Sequence, residues 1–440
     1  MPASVADDST YPQPHAHRGP LKGVRAIVLT QAWAGTFCTE LLGLLGAEVI
    51  QIETRQRLDS WRGGSYRALV PTGLRDRPSA THGYNTNALY NSVNLNKYCL
   101  TLNLADPRGL SIFKRLVPFS DIIAENFSPR VMGNFGLDYG SLCEMKRDVI
   151  LISLSAYGAS GPYANVPGIG GTIEPMSGMS WLLGYEDGPP VNSGQMYPDP
   201  VAGYYGAAAS VLALRHRDRS GEGQYVDLSM QEANMTFIAD ALMEYAVKGS
   251  VRGRMGNRHL SLAPHNMYAC LAGQWIAIAV RAESEWEGLC EAARKPDWAA
   301  DERFRDNDAR KRNEVALDAS ISAWTSTQDA GTLEERLAAA GIAAGKVMNA
   351  QGVRDNGQLR AREFITALDH PETGILDYVG VPVRFSRTPG GATLPPPLLG
   401  QHCWQILSTL LDMPRAEYEQ LVADGVTGSG PPPGAEGEGE

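Results

Sequence analysis

The sequence has 440 residues, of which 43% are hydrophobic, so it can bury the cores of two or three domains. Its net charge of -10 argues against a sequence-independent nucleic-acid binder, which needs clustered Lys and Arg side chains. The six cysteines lie far apart, without a CxxC pair or a Cys/His ligand spacing, which predicts a reducing compartment and no metal site.

The two ends of the chain are polar and poor in large apolar residues. Residues 1–20 predict a disordered arm that is neither a signal peptide nor a membrane anchor. Residues 427–440 consist largely of Gly, Pro and Glu and predict a disordered tail. The longest apolar stretch, 201–214, contains glycines and is shorter than a membrane span, so we expect a cytoplasmic protein.

Strand and helix patterns alternate in the first half of the chain. Apolar runs predict strands at 24–29 and 48–53 with a helix between them, which is a βαβ unit. Asp106 and Pro107 predict the start of another helix, and further strands are predicted at 121–126 and 148–154. We therefore expect residues 21–230 to form a large, doubly wound, Rossmann-like α/β domain. No GxGxxG follows its first strand, which argues against an NAD-type site.

The pattern changes near residue 230. Residues 231–350 are predicted to form a smaller α+β domain with its linkers, with its clearest strand at 274–280. Residues 351–426 have the Pro and Gly density of an extended return segment, closed by a helix at 403–411. We expect this segment to complete the large domain.

A long irregular segment, 155–200, carries the best candidates for chemistry. Asp199 lies between two prolines, just before a glycine-rich helix predicted at 201–217. Its position alone leaves two interpretations: a helix N-cap, or a carboxylate kept ionised by the helix N-terminus and able to attack a thioester carbonyl. Glu174 is a second acid in this segment and is either a substrate contact or a hydrogen-bonded structural glutamate.

Short motifs follow one another in a characteristic order along residues 21–411. They are LKGVR at 21–25, LGAEVIQIE at 45–53, NLNK at 94–97 with LNL at 102–104, ENFSP at 125–129, SAYG at 155–158 with GPY at 161–163, GPP at 188–190, GEGQ at 221–224, RMGN at 254–257 and PPPLLG at 395–400. The chain thus resembles the class III CoA-transferases, which include formyl-CoA transferase, carnitine CoA-transferase and the 2-methylacyl-CoA racemases. Each motif is weak alone, and their order is specific.

The resemblance implies a function and an assembly. Asp199 falls on the catalytic aspartate of the family, which moves CoA from an acyl-CoA donor, such as succinyl-CoA, to a carboxylic acid. The implied intermediates are an aspartyl anhydride and an aspartyl-CoA thioester, with the CoA thioester as substrate and no permanently bound cofactor. The family fold is an interlocked homodimer, and some relatives pair two different chains. No nucleic-acid or membrane partner is implied.

Candidate binding residues come from two sources. The irregular segment itself offers Tyr163, Tyr197 and Glu174 for a substrate pocket, and the resemblance offers positions for CoA. The positions that match family contacts to CoA, or that would replace missing arginines, are Gln31, Ala32, Trp33, Ala34, Arg55, Lys97, Asn126, Phe127 and Arg130.

Departures from the family pattern narrow the function. Gly170 stands where the racemases carry an acid/base aspartate, which argues against racemisation. Residues 252–256 do not form the run of consecutive glycines found in the formyl-transferring members, which argues against formyl/oxalate exchange. The aromatic residues of this region suggest a bulkier or aryl-bearing acid; they are Tyr163, Trp181, Tyr185, Tyr197 and Tyr204. The alternatives are a non-catalytic CoA-binding subunit of a heteromer and a racemase, lyase or hydrolase on the same fold.

Overall fold

A computed structural model describes residues 18–432 of the protein. The strands are β1 (Arg25–Leu29), β2 (Glu48–Glu53), β3 (Lys97–Thr101), β4 (Ile122–Glu125), β5 (Ile150–Ser155), β6 (Tyr225–Ser229), β7 (His265–Ala269), β8 (Trp275–Ala279), β9 (Ala343–Lys346), β10 (Ile365–His370) and β11 (Gly374–Val379). The helices are α1 (Ala34–Leu44), α2 (Gly83–Thr86), α3 (Ala88–Asn91), α4 (Pro107–Leu116), α5 (Arg130–Asn134), α6 (Tyr139–Met145), α7 (Gly170–Met176), α8 (Met179–Leu182), α9 (Pro198–Ser220), α10 (Met230–Met235), α11 (Ala239–Lys248), α12 (Glu283–Ala293), α13 (Pro296–Ala300), α14 (Asn307–Arg312), α15 (Glu314–Thr325), α16 (Ala330–Ala339), α17 (Ala350–Arg354), α18 (Gly357–Ala361), α19 (Cys403–Leu411) and α20 (Arg415–Ala423).

The chain divides into two compact units. The large unit runs to Met179 and also contains Asn192–Met243 and the chain from Gln358 onward. The small unit contains Ser180–Val191 and Glu244–Gly357. Residues 231–243 and 351–357 thus fall on the other side of the boundaries from those expected, and a short stretch of the irregular segment belongs to the small unit.

The large unit is built on a six-stranded sheet in the order β3-β2-β1-β4-β5-β6. Every neighbouring pair is parallel, and strands such as β2 and β5 are buried along their whole length because helices cover both faces. One face packs against α4 and α19, and the other packs against α1 and α9. This parallel, doubly wound arrangement confirms the predicted α/β class.

The small unit has its own core. Its antiparallel sheet has the order β7-β8-β9, and α12 and α16 pack near it. The core includes the indoles of Trp286, Trp298 and Trp324. Such a mixed layer of helices and antiparallel strands is an α+β arrangement.

The return segment and the chain end pack on the large unit. α19 contributes Ile406 and Leu407 to the core beneath the sheet. The expectation of disorder from residue 427 is wrong for 427–432, because Thr427 is fully buried and its Oγ1 donates to the Thr101 carbonyl at 2.7 Å. The predicted arm likewise ends earlier than residue 20, because the backbone of Gly19 packs closely on that of Leu45. Residues 1–17 and 433–440 of these two predictions lie outside the described residues. No helix within 18–432 is long and apolar enough to cross a membrane.

Candidate active site

A cavity of about 430 Å³ opens at the carboxyl ends of β1, β4 and β5 in the large unit. From β1 the chain passes to β2 on one side of the sheet, while β4 lies on the other side, so this edge is the switch point where open α/β sheets bind ligands. Its walls come from the segments that follow these strands, from residues 164–170 and from the start of α9. The lining residues are Gln31, Ala32, Trp33, Ala34, Ser60, Trp61, Asn126, Phe127, Ser128, Pro129, Leu154, Ser155, Ala156, Tyr157, Ala164, Val166, Gly168, Ile169, Gly170, Met196, Asp199 and Met230.

Asp199 is the only carboxylate among the residues that line this cavity. It lies in the first turn of α9, which begins at Pro198, and Tyr197 occupies the N-cap position without a side-chain cap. The helix therefore begins earlier than predicted, and the N-cap interpretation of Asp199 is wrong. Pro198 fits the first helical position because its missing N–H would have no helical partner there.

The carboxylate of Asp199 is poorly solvated and incompletely satisfied. Its Oδ2 is buried and has no hydrogen-bond partner within residues 18–432. Burial raises the pKa of Asp199 to about 6, against the opposing contact of the Ala34 N–H. A pKa of about 6 leaves most of this carboxyl group ionised at neutral pH.

Small residues bring Asp199 to the cavity. A Cβ on Gly203 would lie 2.7 Å from Cδ1 of Phe37, and a Cβ on Gly206 would lie 2.9 Å from the sulfur of Cys38. Only glycine therefore lets α9 pack this closely on α1. The contact sets the first turn of α9 beside the first residue of α1, Ala34.

Gly170 leaves the space that the carboxylate occupies. A Cβ at this first residue of α7 would lie 1.9 Å from Oδ2 of Asp199 and 2.7 Å from Cβ of Met196. In the sequence, Gly170 was notable only because the racemases carry an aspartate at this position. The structure shows that no side chain fits there while Asp199 keeps its position.

The turn between β1 and α1 is held by two side chains. Ala32 has a left-handed backbone, with φ of 54°, which is strained for a residue other than glycine. Its N–H donates to both oxygens of Asp59, at 3.2 and 3.0 Å. The Asn126 amide bonds reciprocally with the backbone N–H and carbonyl of Gln31, at 2.8 Å each. Asn126 lines the cavity, but these bonds already occupy its amide group.

The aromatic wall of the cavity differs from the predicted one. The indoles of Trp33 and Trp61 lie 5.4 Å apart, and Phe127 and Tyr157 also line the cavity. The predicted contacts Tyr163 and Tyr197 do not belong to the lining set. Tyr163 is half exposed and lies 5.7 Å from the ring of Tyr157. Of the other three predicted aromatics, Tyr204 packs on Phe37, and Trp181 and Tyr185 belong to the small unit.

Glu174 lies outside the lining of the cavity. It is fully buried, and its carboxylate accepts hydrogen bonds from the Ser193 N–H at 2.6 Å and from the Ser193 hydroxyl at 2.8 Å. It therefore anchors the segment that leads to Asp199, and it does not line the cavity.

The three cations predicted to contact CoA lie in different surroundings. Lys97 is buried and donates to the Thr36 carbonyl and Asn94 Oδ1, and burial lowers its pKa to about 7. Arg55 is buried and its guanidinium donates to the carbonyls of Thr427, Gly430 and Pro431. Arg130 alone is exposed, next to the cavity-lining Pro129, and makes no ion pair with another described residue. Lys97 and Arg55 are thus not among the residues that line the cavity, and Arg130 directly follows one that is.

Sequence reasoning missed Asp59, Trp61 and Ser155. Asp59 also accepts a hydrogen bond from the Trp61 N–H at 2.8 Å, so it fixes both the strained turn and the indole beside it. An Asp two residues before Trp61 could have been read as a turn cap. The contact between Asp59 and Ala32 could not have been predicted in this way, because the two residues are far apart in the chain.

The chain is similar to known proteins over most of its length. The model of CoA-transferase family III matches residues 21–403. The succinyl-CoA–D-citramalate CoA-transferase of Chloroflexus aurantiacus is 33% identical over 92% of this chain and 97% of the relative. The succinyl-CoA–L-malate CoA-transferase beta subunit of the same organism is 29% identical over 90% of this chain and 95% of the relative. The crystal structure of a CAIB/BAIF family protein from Brucella suis is similar with a TM-score of 0.79 and 28% identity, covering 89% of this chain and all of that one.

Proposed function

The chain belongs to CoA-transferase family III, and from that premise we propose that Asp199 carries the acyl group and then CoA in an acyl-CoA:carboxylate CoA-transferase. The observation that carries this proposal is the partly buried, incompletely hydrogen-bonded carboxylate of Asp199 in the cavity at the switch point of the sheet. A carboxylate in this state is suited to covalent catalysis, because a group that is fully satisfied by protein contacts would be a weak nucleophile.

The first half-reaction transfers CoA to the enzyme. An oxygen of Asp199 attacks the thioester carbonyl carbon, a C–O bond forms, and the carbonyl π electrons move to the oxygen. The tetrahedral intermediate collapses as the C–S bond breaks, which leaves a mixed anhydride and CoA thiolate. The thiolate then attacks the Asp199 carbonyl carbon, and the donor acid leaves as a carboxylate with one oxygen from Asp199.

The second half-reaction is the reverse with a different acid. The acceptor carboxylate attacks the aspartyl-CoA thioester and releases CoA thiolate, forming a second anhydride. The thiolate attacks the acyl carbonyl of the acceptor, and the C–O bond to the Asp199 oxygen breaks. Asp199 is restored with one oxygen from the acceptor. No net proton transfer is needed, so the site needs no general base.

For CoA, we propose contacts along one wall of the cavity. The turn from Gln31 to Ala34 and the side chain of Phe127 line that wall, and Arg130 lies next to it. An exposed, unpaired guanidinium is suited to a phosphate group. Asn126 supports the wall through its bonds to Gln31.

For the acceptor, we propose a bulky or aryl-bearing carboxylic acid. The lining residues include four aromatic rings and no Arg, Lys or His side chain. A second carboxylate would therefore enter an apolar space beside the charge of Asp199, which is unfavourable without a counter-ion. The names of the relatives contain dicarboxylic acids, so an acceptor panel must include both classes.

For the assembly and location, we propose an interlocked homodimer in the cytoplasm. The alternative is pairing with a different chain, and it is favoured by the relative that is named as a subunit. Size-exclusion chromatography with light scattering separates these arrangements: an active dimer of the purified chain supports the homodimer, and an inactive chain that gains activity from a second protein supports the heteromer.

The covalent route is tested by trapping. The protein is incubated with succinyl-CoA or acetyl-CoA, treated with hydroxylamine or borohydride, digested and analysed by mass spectrometry. We expect modification of the peptide that contains Asp199, and none in Asp199→Ala. CoA binding without any modification, across a panel of donors, would contradict the covalent mechanism.

A further inference from the structure

Ser155 presents a second unsatisfied polar group at the same cavity. It is the last residue of β5, it lines the cavity, and its side-chain oxygen is buried without a hydrogen-bond partner within residues 18–432. The residue is only 8% exposed. Among the cavity-lining side chains, only Ser155 and Asp199 have a buried polar atom in this condition.

An unpartnered buried hydroxyl needs a physical explanation, because it costs stability that alanine at the same position would not. The neighbouring serines do have partners. Ser153, on the same face of β5, bonds to Glu125. Ser229, opposite Ser155 on β6, accepts a hydrogen bond from the Glu232 N–H at 3.3 Å. The hydroxyl of Ser155 is therefore the exception along this part of the sheet.

The chemistry at Asp199 lacks one component that a serine can supply. The attacking group is already a carboxylate, so the step needs no base. It does place a negative charge on the thioester carbonyl oxygen, and a fixed hydrogen-bond donor at that oxygen stabilises the transition state more than the ground state. A hydroxyl at the end of a buried parallel strand is well fixed, and rotation about its single χ1 angle turns it towards a ligand.

We propose that Ser155 is a catalytic residue whose hydroxyl donates a hydrogen bond to the acyl carbonyl oxygen as Asp199 attacks. This inference rests on the proposed covalent function of Asp199. When the C–O bond forms, the oxyanion accepts the Ser155 O–H. When the C–S bond breaks and CoA thiolate leaves, the carbonyl is restored and Ser155 keeps its proton throughout. The same bond serves the second half-reaction in reverse.

The test compares variants of two serines on one strand. Ser155→Ala removes the donor, Ser155→Thr restores a hydroxyl, and Ser153→Ala is the matched control. For each, the single-turnover rate of Asp199 modification by succinyl-CoA is measured by rapid quench and peptide mass spectrometry. Steady-state kcat and KM and the midpoint of thermal unfolding are measured on the same preparations.

We expect Ser155→Ala to lower the acylation rate and kcat by about 10²-fold with little change in KM. Its unfolding midpoint should stay the same or rise, because an unsatisfied group is removed. Ser155→Thr should recover part of the rate. Ser153→Ala should unfold at a lower temperature and keep its acylation rate.

Two outcomes would overturn the role of Ser155. One is an unchanged acylation rate in Ser155→Ala. The other is a loss of rate that tracks a lower unfolding midpoint or a higher KM, which would indicate a packing role or an ordinary binding contact. Failure of the underlying function looks different, because the wild-type protein itself would then show no modification of Asp199.

Discussion

Glu53 is a buried carboxylate of the large unit and Asp199 is a partly buried one, and their surroundings are opposite. Glu53 ends β2, and its Oε2 accepts from Arg62 Nε at 2.7 Å. Its Oε1 accepts from Arg62 Nη2 and the Tyr90 hydroxyl, each at 2.8 Å, and from the Cys99 sulfur at 3.1 Å. Asp199 has an oxygen with no partner within the described chain.

The two pKa values move in opposite directions for this reason. Burial alone would raise the pKa of Glu53, but the charge of Arg62 and the hydrogen bonds from Arg62, Cys99 and Tyr90 together hold it below its usual value. At Asp199 burial is not compensated, and the pKa rises to about 6. Burial therefore does not distinguish a structural carboxylate from a reactive one. The number of hydrogen-bond donors and cations around the carboxylate does.

Replacement of Asp199 gives the largest contrast. We expect Asp199→Asn to lower transfer by more than about 10³-fold, because an amide oxygen cannot form the anhydride. We also expect it to stabilise the fold by about 1–2 kcal/mol near pH 8, less than the full shift implies because the group is partly exposed. The folded-state pKa lies above the unfolded one, so this gain is present above about pH 6 and vanishes below about pH 4. Denaturation at pH 8 and at pH 4 measures this gain. If Asp199→Asn were less stable than the wild type at pH 8, the uncompensated burial of the Asp199 carboxylate would be contradicted.

Replacement of Glu53 should have the reverse profile. Glu53→Gln leaves the fully buried guanidinium of Arg62 without its counter-charge, and we expect a loss of about 3–5 kcal/mol of unfolding free energy. The transfer rate per folded molecule should stay the same. The control is Glu285→Gln, which breaks the exposed pair with Arg281 and should cost less than about 0.5 kcal/mol. Urea titrations measure the unfolding free energies of both variants. Equal small losses would show that the hydrogen bonds and ion pair of Glu53 do not stabilise the fold.

Two adjacent glycines test how tightly the position of Asp199 is set. Gly170→Ala forces a carbon against Oδ2 of Asp199, and we expect transfer to fall by about 10- to 100-fold as the carboxylate is displaced. Gly171→Ala is the matched control, since an added Cβ meets no atom within 4 Å there. Initial rates of both variants measure the effect, and equal rates would mean that the carboxylate tolerates displacement.

The pH dependence gives the smallest effect. Only ionised Asp199 attacks, so single-turnover acylation should fall about tenfold for each pH unit below about pH 6. The Glu53 network should remain intact over the same range, because its lowered pKa means that its stabilisation is lost only when the pH falls below the unfolded-state value. Activity and circular dichroism recorded together check this, and a shared transition would show that unfolding causes the loss of activity.

The sequence was sufficient for the parts of the fold that depend on local pattern. Continuous apolar runs predicted β1, β2, β4 and β5 of the parallel sheet, although they did not predict β3. The residues around Asp199 predicted its place just before a helix, and the ordered motifs matched it to the catalytic aspartate of the family. The surroundings of single side chains were not predictable in the same way. Lys97 matches a position that would contact CoA, and Arg55 was expected to replace a missing arginine, yet both side chains donate to carbonyls inside the protein.

Long-range contacts explain most of what was missed. The bond between Asp59 and Ala32 depends on how the ends of β1 and β2 approach each other, which spacing alone does not give. The sequence showed only that Gly170 replaces an aspartate of the racemases. The structure shows that the carboxylate of Asp199 occupies the space that a side chain at Gly170 would need. Ser155 belongs to the SAYG motif at 155–158. The motif was recognisable in the sequence, but it does not show that the Ser155 hydroxyl lacks a hydrogen-bond partner.

The central claim, that the Asp199 carboxylate becomes part of the intermediates, is tested most directly by oxygen transfer. An acceptor acid labelled with ¹⁸O in its carboxylate is supplied with acyl-CoA, and the Asp199 peptide is weighed after turnover. The covalent route predicts that one labelled oxygen enters that peptide in the first turnover and at most two after several turnovers, and that label is absent from other peptides. Sustained transfer of CoA with no label at Asp199 would contradict it and would indicate direct attack of the acceptor on the donor thioester.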